Sequence, residues 1–595
     1  MATKTLVEVI ADHQAGKLEQ AESGYRDLLK EDPDNADAIH LLGVICFQRE
    51  ALEEARELVT RAIRINGSVA LYHANLGRIE KARGDIIKTI RAYRQSLTLM
   101  PDQADVNSDI AAVLIDAGEC AEALQFAERA LDLLPRFAAA KFNRGMALAG
   151  LGRYEAAISA FQATVQLDNG FADAYFQMAL IHQESGHLDK AEGGYRNAIS
   201  IDPSQIEAHC NLGNILRADG RLTEALQCYE RALLVLPDVA EIHSNKGVAL
   251  HELGEREQAI ESYRRAIELD ADDAEAHRNL SMALLQGDEY EEGWHESEWR
   301  WRTRHFVSIR RDWSKPQWSG EALAGKTILV YAEQGFGDSF QFSRYIPLIA
   351  GQGGHVIVEA PDTIEGVLRT IDGVEKLISP GAAMPEFDFH IPMMSLPRAF
   401  GTTIESIPAP HSYLSAPSEA VQIWRERFGG REEEHRIGIV WKGSSEHSGN
   451  LWRSPGLEVF RPLLSQEGHR FFSLQKDDGR KDLKEVGLAE QIIDLETGLN
   501  SFSDTAAVIA QLDLVITPDT SVAHLSGAMG CSTWIVLPHV AEWRWGIGRK
   551  DCPWYPSARL FRQSSPGDWG GVIRNLADEL DKIRESNQAE AETSA

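Results

Sequence analysis

Long apolar runs are missing from this chain. No stretch approaches the roughly 20 consecutive apolar residues that a membrane-crossing helix needs, so no membrane span is expected. The opening residues, MATKTLVEVIADHQ, lack the basic-then-apolar pattern of a secretory leader, and the expected location is the cytoplasm. Cysteine is scarce. The six present (Cys46, Cys120, Cys210, Cys228, Cys531 and Cys552) form no C-x-x-C pair, which argues against a disulfide framework or a structural zinc site. Positive charge is also in deficit, with 60 Lys and Arg against 90 Asp and Glu and a formal net charge of −30. Such a balance excludes a general binder of the nucleic-acid backbone. What is plentiful is length: 595 residues are too many for one hydrophobic core, so several domains are expected.

The first half repeats. The triplets LLG, NLG, NRG, NLG and NKG place glycines at Gly43, Gly77, Gly145, Gly213 and Gly247, always separated by multiples of 34 residues. Ala111 and Ala179 fill the missing steps. Twelve residues on, a small residue recurs (Ala55, Ala123, Ala157, Ala191, Ala225, Ala259), and sixteen on an aromatic is usual (Tyr93, Phe161, Tyr195, Tyr229, Tyr263). Prolines follow at Pro33, Pro101, Pro135, Pro203 and Pro237. The physical reading is a helical hairpin: small residues let antiparallel helices approach, the aromatic fills the space between them, and proline ends the second helix. The pattern resembles the tetratricopeptide repeat. Eight units cover about residues 2–273, and a degenerate ninth, AEAHRNLSMALLQGDEYEEGWHESEWRW, is expected to cap an all-α solenoid over residues 1–300.

Two residues before the marker sit Asn75, Asn143, Asn211, Asn245 and Asn279, with Asp109 and Gln177 at two other steps. Asparagine is a mediocre mid-helix residue. One reading is a ladder of amides along the concave groove of the solenoid, able to pair with the backbone of an acceptor peptide. The other is that these residues tune contacts between helices.

After Trp301 the period stops. Residues 301–325 read as a solvated basic linker; this connection carries Arg302, Arg304, Arg310 and Arg311, next to Arg300. From Lys326 the grammar is strand, Gly-rich turn, helix. KTILVYAEQGFGDSF, GGHVIVEA and FDFHIPM suggest one Rossmann-like half over 326–415. HRIGIVWKGSS, HRFFSLQ, LDLVITPDTSVAHLSGAMG and STWIVLP suggest a second over 416–585, leaving a disordered tail at 586–595. Alternation of this kind gives parallel sheets covered by helices, and ligands bind beyond the carboxyl ends of the strands.

The stretch TPDTSVAHLSGAMGCSTWIVLP concentrates the chemistry. A buried strand LDLVI would end at Ile516, TPDT would be the turn after it, Asp519 or Thr520 would cap a helix, and Gly530 would stop it. The first amides of that helix carry partial positive charge, which suits a diphosphate, although an ordinary capped helix would read the same way. The earlier turn GFGDSF fails G-x-G-x-x-G at Phe340, which argues against a dinucleotide site.

The order AEQGFGDSFQFSRYIPL, IGIVWKGSSEHSGNLWRS and FSDTAAVIAQLDLVITPDTSVAHLSGAMG resembles the ADP-heptose lipopolysaccharide heptosyltransferase family, and in particular a bacterial branch in which that domain follows tetratricopeptide repeats. The resemblance covers about residues 315–565 and implies a GT-B fold, with the acceptor side in the 326–415 half and the nucleotide-sugar side in the 416–585 half. It implies an inverting glycosyltransferase that moves a sugar from a nucleotide-sugar donor to a protein acceptor docked by the repeats. Some proteins of this architecture are linked to flagellin glycosylation, so Ser or Thr of flagellin is a candidate acceptor; whether the sugar is a hexose, heptose or nonulosonate stays open. The family's base maps onto Asp338, with Glu333 the alternative base and helix capping the competing role of Asp338. Lys442, Arg453, Asp519, Thr520, Ser521 and His524 would hold the donor. Beyond the nucleotide-sugar co-substrate no cofactor is implied. Residues 301–595 carry no D-x-D pair, and basic side chains with a helix dipole can replace a cation, so a metal-independent reaction is expected. The loops FFSLQKDD and HVAEWRWG are candidates for base recognition. The alternatives are a lipopolysaccharide or other glycan transferase, and a non-catalytic repeat scaffold with a degenerate transferase domain.

Overall fold

The computed structural model describes residues 4–307, 309–428, 435–443, 453–495 and 498–594. Residues 444–452 of the quoted IGIVWKGSSEHSGNLWRS segment lie outside them, as do residues 1–3 and 595. The chain divides into two compact units, Met1–Pro237 and Asp238–Ala595.

The first unit is a series of helical hairpins, from Leu6–Gln14 with Leu18–Glu31 to Ile206–Ala218 with Leu222–Val235. The 34-residue spacing has a steric cause. A methyl group built on Gly77 would sit 2.5 Å from the Tyr93 ring, one on Gly145 2.5 Å from Phe161, and one on Gly213 2.6 Å from Tyr229. Glycine and aromatic are therefore one device, the ring lying flat on the backbone of the preceding helix. Where the marker is Ala111, the partner position is Ala127, and both are fully buried. Each hairpin turns through a left-handed residue: Gly16, Gly84, Gly118, Gly152, Gly186 and Gly220 all have φ between 71° and 80°. Glu50 takes the same turn at φ 61° without glycine, a strained choice for a side chain with a Cβ. Successive second helices are joined by Arg26–Glu54 (3.0 Å), Arg94–Glu122 (2.7 Å) and Arg196–Glu224 (2.9 Å) ion pairs. These are exposed and contribute little each.

The second unit begins with two more hairpins, Ala240–Leu253 with Arg256–Leu269 and Ala274–Gln286 with Tyr290–Ser297. Two parallel sheets follow. The first contains β1 (Thr327–Tyr331), β2 (His355–Glu359), β3 (Val374–Ile378) and β4 (Phe389–Pro392), in the order β3-β2-β1-β4. The second contains β5 (His435–Ile439), β6 (His469–Ser473), β7 (Ile492–Asp494), β8 (Leu514–Pro518), β9 (Thr533–Leu537) and β10 (Ala558–Arg562), in the order β10-β9-β8-β5-β6-β7. Strand β8 pairs with β5 through Ile437↔Leu514 and with β9 through Ile516↔Trp534. Its residues alternate between two cores: Val515 packs toward the first sheet, and Ile516 packs with Trp534 and Leu576 on the far side. A sheet buried on both faces needs near-continuous apolar strands, which LVITP and TWIVL supply.

Three features depart from the sequence reading. The ninth hairpin is more than a cap: Leu285, Tyr290 and Trp294 are buried in the same core as β1 and β8. The Trp294 indole donates to the Thr402 carbonyl at 3.0 Å, and the Gln286 amide donates to the Ala541 carbonyl at 2.6 Å. The basic segment is not a free solvated linker. Arg300 is 3% exposed, Trp318 is buried against Phe400, and Gln317 bridges to His390 beside β4. Aromatics at Trp313 and Trp318 fasten this stretch to the sheet, where Arg300 pairs with Glu333 and Arg311 with Glu359. Finally, the helix Trp569–Ser594 continues through most of the expected tail. Among the described residues, no helix is long and apolar enough to cross a membrane.

Candidate functional site

The carboxyl ends of β1, β8 and β9 bring the chemistry together. After β1 the chain turns into the helix Phe336–Phe342, which carries Asp338. After β8 it turns into the helix Ser521–Ala528, which carries His524. These helices touch closely, since a methyl group on Gly337 would lie 2.6 Å from the His524 ring. After β9 a turn at Trp543–Trp545 delivers Arg544.

Asp338 does two things at once. Its Oδ2 accepts from the Gly335 amide at 3.1 Å, the capping role the sequence allowed. Its Oδ1 accepts from Arg544 Nη2, and the side chain remains 19% exposed. Arg544 also donates to Glu542 Oε1 and, at 2.5 Å, to Gln341 Oε1. Burial pushes the Glu542 carboxyl up to about 7, against the pull of Arg544.

Glu333, the alternative base, sits elsewhere. It is 3% exposed and accepts from Arg300 Nη2 at 3.2 Å and from the Met394 amide at 3.1 Å. Arg300 also donates to Glu298 at 2.8 Å and to the Ser395 hydroxyl at 2.7 Å. Burial raises Glu333 to about 7 although Arg300 opposes it. A carboxylate so enclosed fastens the Glu298–Arg302 turn to the ends of β1 and β4, and has little access to a substrate hydroxyl.

The Ser521 helix is flanked by Asp519 and Arg453. Arg453 Nη2 donates to Asp519 Oδ2 at 2.5 Å and to its carbonyl at 3.1 Å. Burial alone would raise Asp519; the positive charges of Arg453 and Arg544 outweigh it and hold the carboxyl below its usual range. Asp519 thus orients Arg453. Neither Asp519 nor Thr520 caps the helix: no side-chain cap bond is made at Thr520, whose hydroxyl pairs with Thr517 at 2.9 Å. Ser521 opens the helix, half-buried. The expected stop is present, with Gly530 at φ 72° two residues past Ala528.

His524 is 5% exposed. Burial and then the field of Arg544 push its imidazole down to about 3, so it is neutral at neutral pH. Its Nδ1 lies 2.8 Å from the Tyr555 hydroxyl and its Nε2 3.8 Å from Asp519 Oδ1. Burial keeps the Tyr555 phenol protonated, so the two rings share one neutral hydrogen bond at Nδ1. His524 acts as a neutral, packed hydrogen-bonding group, not as a cation. Lys442 follows β5, its main-chain amide accepted by Gln475 Oε1 at 3.0 Å and its carbonyl accepting from Gln475 Nε2 at 3.0 Å.

Tyr555 and Arg344 escaped the sequence reading, and Glu542 and Arg544 were marked only as part of the HVAEWRWG loop, with no contact of their own. Arg344 is buried, donates to the carbonyls of Gln341 (2.7 Å) and Trp554 (2.6 Å), and lies over the Tyr413 and Tyr555 rings. The available signal was an acid and a cation two residues apart between tryptophans, in AEWRWG, directly after a predicted strand.

The amide positions are engaged. Asn75 Nδ2 lies 2.8 Å from His40 Nε2 and its oxygen accepts from Arg78 at 3.1 Å; Asn143 donates to the Ser108 carbonyl at 2.9 Å. Asp109 accepts from Arg78 at 3.3 Å. Asn211, Asn245 and Asn279 lie at equivalent positions, half-buried. At Asn75 and Asn143 the amides tie one repeat to the previous one, the second of the two readings.

Tetratricopeptide-repeat family models match residues 13–79, 108–170, 172–205 and 204–272, so the helical hairpins are tetratricopeptide repeats. Among curated proteins the chain is similar to Protein FlbA of Caulobacter vibrioides, 24% identical over 314 residues, 49% of this chain and 52% of that one. The chain thus spans about half the length of this curated relative. Among solved structures it is similar to YrrB, described as a TPR protein with an unusual peptide-binding site (22% identity, 31% of this chain and 95% of that one, TM-score 0.28). It is also similar to MamA of Desulfovibrio magneticus RS-1 (20% identity, 29% and 96%, TM-score 0.27) and to the APC/C hetero-tetramer Cut9–Hcn1 (17% identity, 49% and 58%, TM-score 0.33).

Proposed function

We propose that the chain is an inverting glycosyltransferase of GT-B type that moves a sugar from a nucleotide-sugar donor to a protein acceptor engaged by its repeats. The observation that carries this reading is the meeting of Asp338, at the end of one parallel sheet, with Arg544 and the Asp519–Arg453 pair, at the ends of the other. In the proposed step Asp338 takes the proton of the acceptor hydroxyl, that oxygen bonds to the anomeric carbon, and the bond from that carbon to the diphosphate breaks. Negative charge grows on the leaving diphosphate, where Arg453, Lys442 and the uncapped Ser521 helix provide compensation. Repeats of this kind present extended binding surfaces, which suits a protein acceptor, with flagellin a candidate from the sequence resemblance.

The test is incubation of the purified protein with a panel of nucleotide sugars and candidate acceptors, flagellin and a lipopolysaccharide core included, read by mass spectrometry. Asp338→Ala is expected to lower transfer by about 100-fold or more while donor binding survives. Wild-type turnover in a folded Asp338→Ala protein would remove the base assignment. A repeat scaffold is the second reading, favoured by the ion-paired state of both arginines; failure of every nucleotide sugar to bind would select it.

A further inference from the structure

We propose that Arg544 is a donor-phosphate ligand held in reserve: in the ligand-free protein Asp338 and Glu542 clamp it, and an arriving diphosphate takes it from them, which frees Asp338 for the acceptor. The inference rests on the nucleotide-sugar reading of this cleft and adds an order of events to it.

The guanidinium is 9% exposed and all three of its nitrogens are engaged, with Nη2 on Asp338, Nη1 on Glu542 and Nε on Gln341 Oε1. Two carboxylates share one cation here. The fork that fits two carboxylate oxygens fits two phosphate oxygens equally well, so the acids occupy the place of a phosphate. Arg544 is also within electrostatic reach of the Ser521 helix, since its charge helps to hold the Asp519 carboxyl ionised. A second polar group waits beside it. Gln341 is fully buried, its oxygen accepts from Arg544, and its Nε2 has no hydrogen-bond partner among the described residues. An unpaired buried amide donor is costly, and a phosphate oxygen at Arg544 would satisfy it. While the clamp is closed, Asp338 Oδ1 is engaged and cannot meet an acceptor hydroxyl. Donor binding would open it, so the base is exposed only when the sugar is in place.

The experiment uses the full-length protein and inorganic pyrophosphate as the probe, with affinity read by calorimetry. Asp338→Asn and Glu542→Gln each remove a competitor for Arg544 and are expected to tighten pyrophosphate binding several-fold. Arg544→Lys keeps the charge but loses the fork, and is expected to weaken binding about 10-fold, the size of a charge-assisted hydrogen bond. Arg544→Ala should weaken it further; the lysine variant guards against misfolding. No pyrophosphate binding by the wild-type protein, unchanged affinity in both acid variants, or an unaffected Arg544→Lys protein overturns the clamp. The two proposals fail separately. Sugar transfer by Arg544→Lys at wild-type rate and donor KM leaves the glycosyltransferase and removes the clamp. Tightened pyrophosphate binding in the acid variants, with no transfer from any nucleotide sugar, leaves the clamp and removes the glycosyltransferase.

Discussion

Glu333 and Asp338 lie five residues apart, and the family resemblance favours Asp338 with Glu333 as the alternative base. Burial separates the two. Glu333 is enclosed with Arg300, Glu298 and Ser395, whereas Asp338 keeps a solvent-facing edge. The enclosure has a pH signature. Glu333 has a folded pKa raised from 4.5 to about 7 by burial. Between those values the folded protein binds more proton than the unfolded one. Its contribution is therefore fully present below about 4.5 and lost as pH rises through about 7. The loss is at most about 3 kcal/mol, because each tenfold change in proton affinity is worth about 1.4 kcal/mol. Glu333→Gln cannot ionise, so its urea-denaturation stability is expected to fall less than that of wild type between about pH 5 and pH 8. His524 and Glu542 titrate in both proteins and cancel in the difference. Identical slopes would show that Glu333 is solvated in the native state.

At the scale of elements, the contact between the Phe336 and Ser521 helices decides whether Asp338 and the Asp519–Arg453 pair share one cleft. Gly337→Ala would place a methyl group 2.6 Å from His524, whose ring is fixed by Tyr555 and flanked by Trp545 at 5.3 Å. Overpacking of this kind costs about 1–3 kcal/mol, to be read by urea denaturation. Gly335→Ala is the control: its methyl group would meet Asp338 only at 3.4 Å, and its φ of −63° suits any residue. Equal stabilities for the two variants would mean that the helices can part. Most elements were legible beforehand, because period 34 and alternating apolar strands are local signals. The strands β3, β7 and β10 were not. VEKLI alternates weakly and the IID strand is short, so only their place in the sheet makes them strands. The left-handed turn glycines every 34 positions form a second series that the sequence reading did not single out, and at Glu50 and Asp288 residues with side chains take the same conformation. In the cleft, Asp338, Arg453, Asp519 and His524 were singled out from their motif. Arg544 was marked only as part of its loop, because its contact with Asp338 spans 206 residues of chain.

For the whole molecule, the change of sequence grammar near residue 300 and the boundary between compact units are different places. The repeats run on past Pro237, yet the final hairpins fold with the sheets. The reason is chemical: Tyr290 and Trp294 are too large and apolar to end a solenoid in water, and the pocket that buries them is built from Phe342, Trp543 and Trp554. A fragment ending at Pro237 is therefore expected to be a folded, helical protein, since solenoid units contact only their neighbours. A fragment of 238–595 should also unfold in one cooperative transition. A fragment of 301–595 discards Leu285, Tyr290, Trp294 and the Gln286 bond to Ala541, and leaves Glu333 without Arg300. Truncating a single buried aromatic costs about 3–5 kcal/mol, a large part of the about 5–15 kcal/mol that holds a domain together. The 301–595 fragment should accordingly be insoluble, or melt far below 238–595 in calorimetry. If the two shared a melting temperature, the last repeat would be an attachment and the sheets would form a domain without it. If 301–595 fails while 238–595 folds, the end of the repeat array is part of the framework that positions Arg544 and Asp338, and a change at Gln286 or Trp294 should reach the cleft without touching any residue in it.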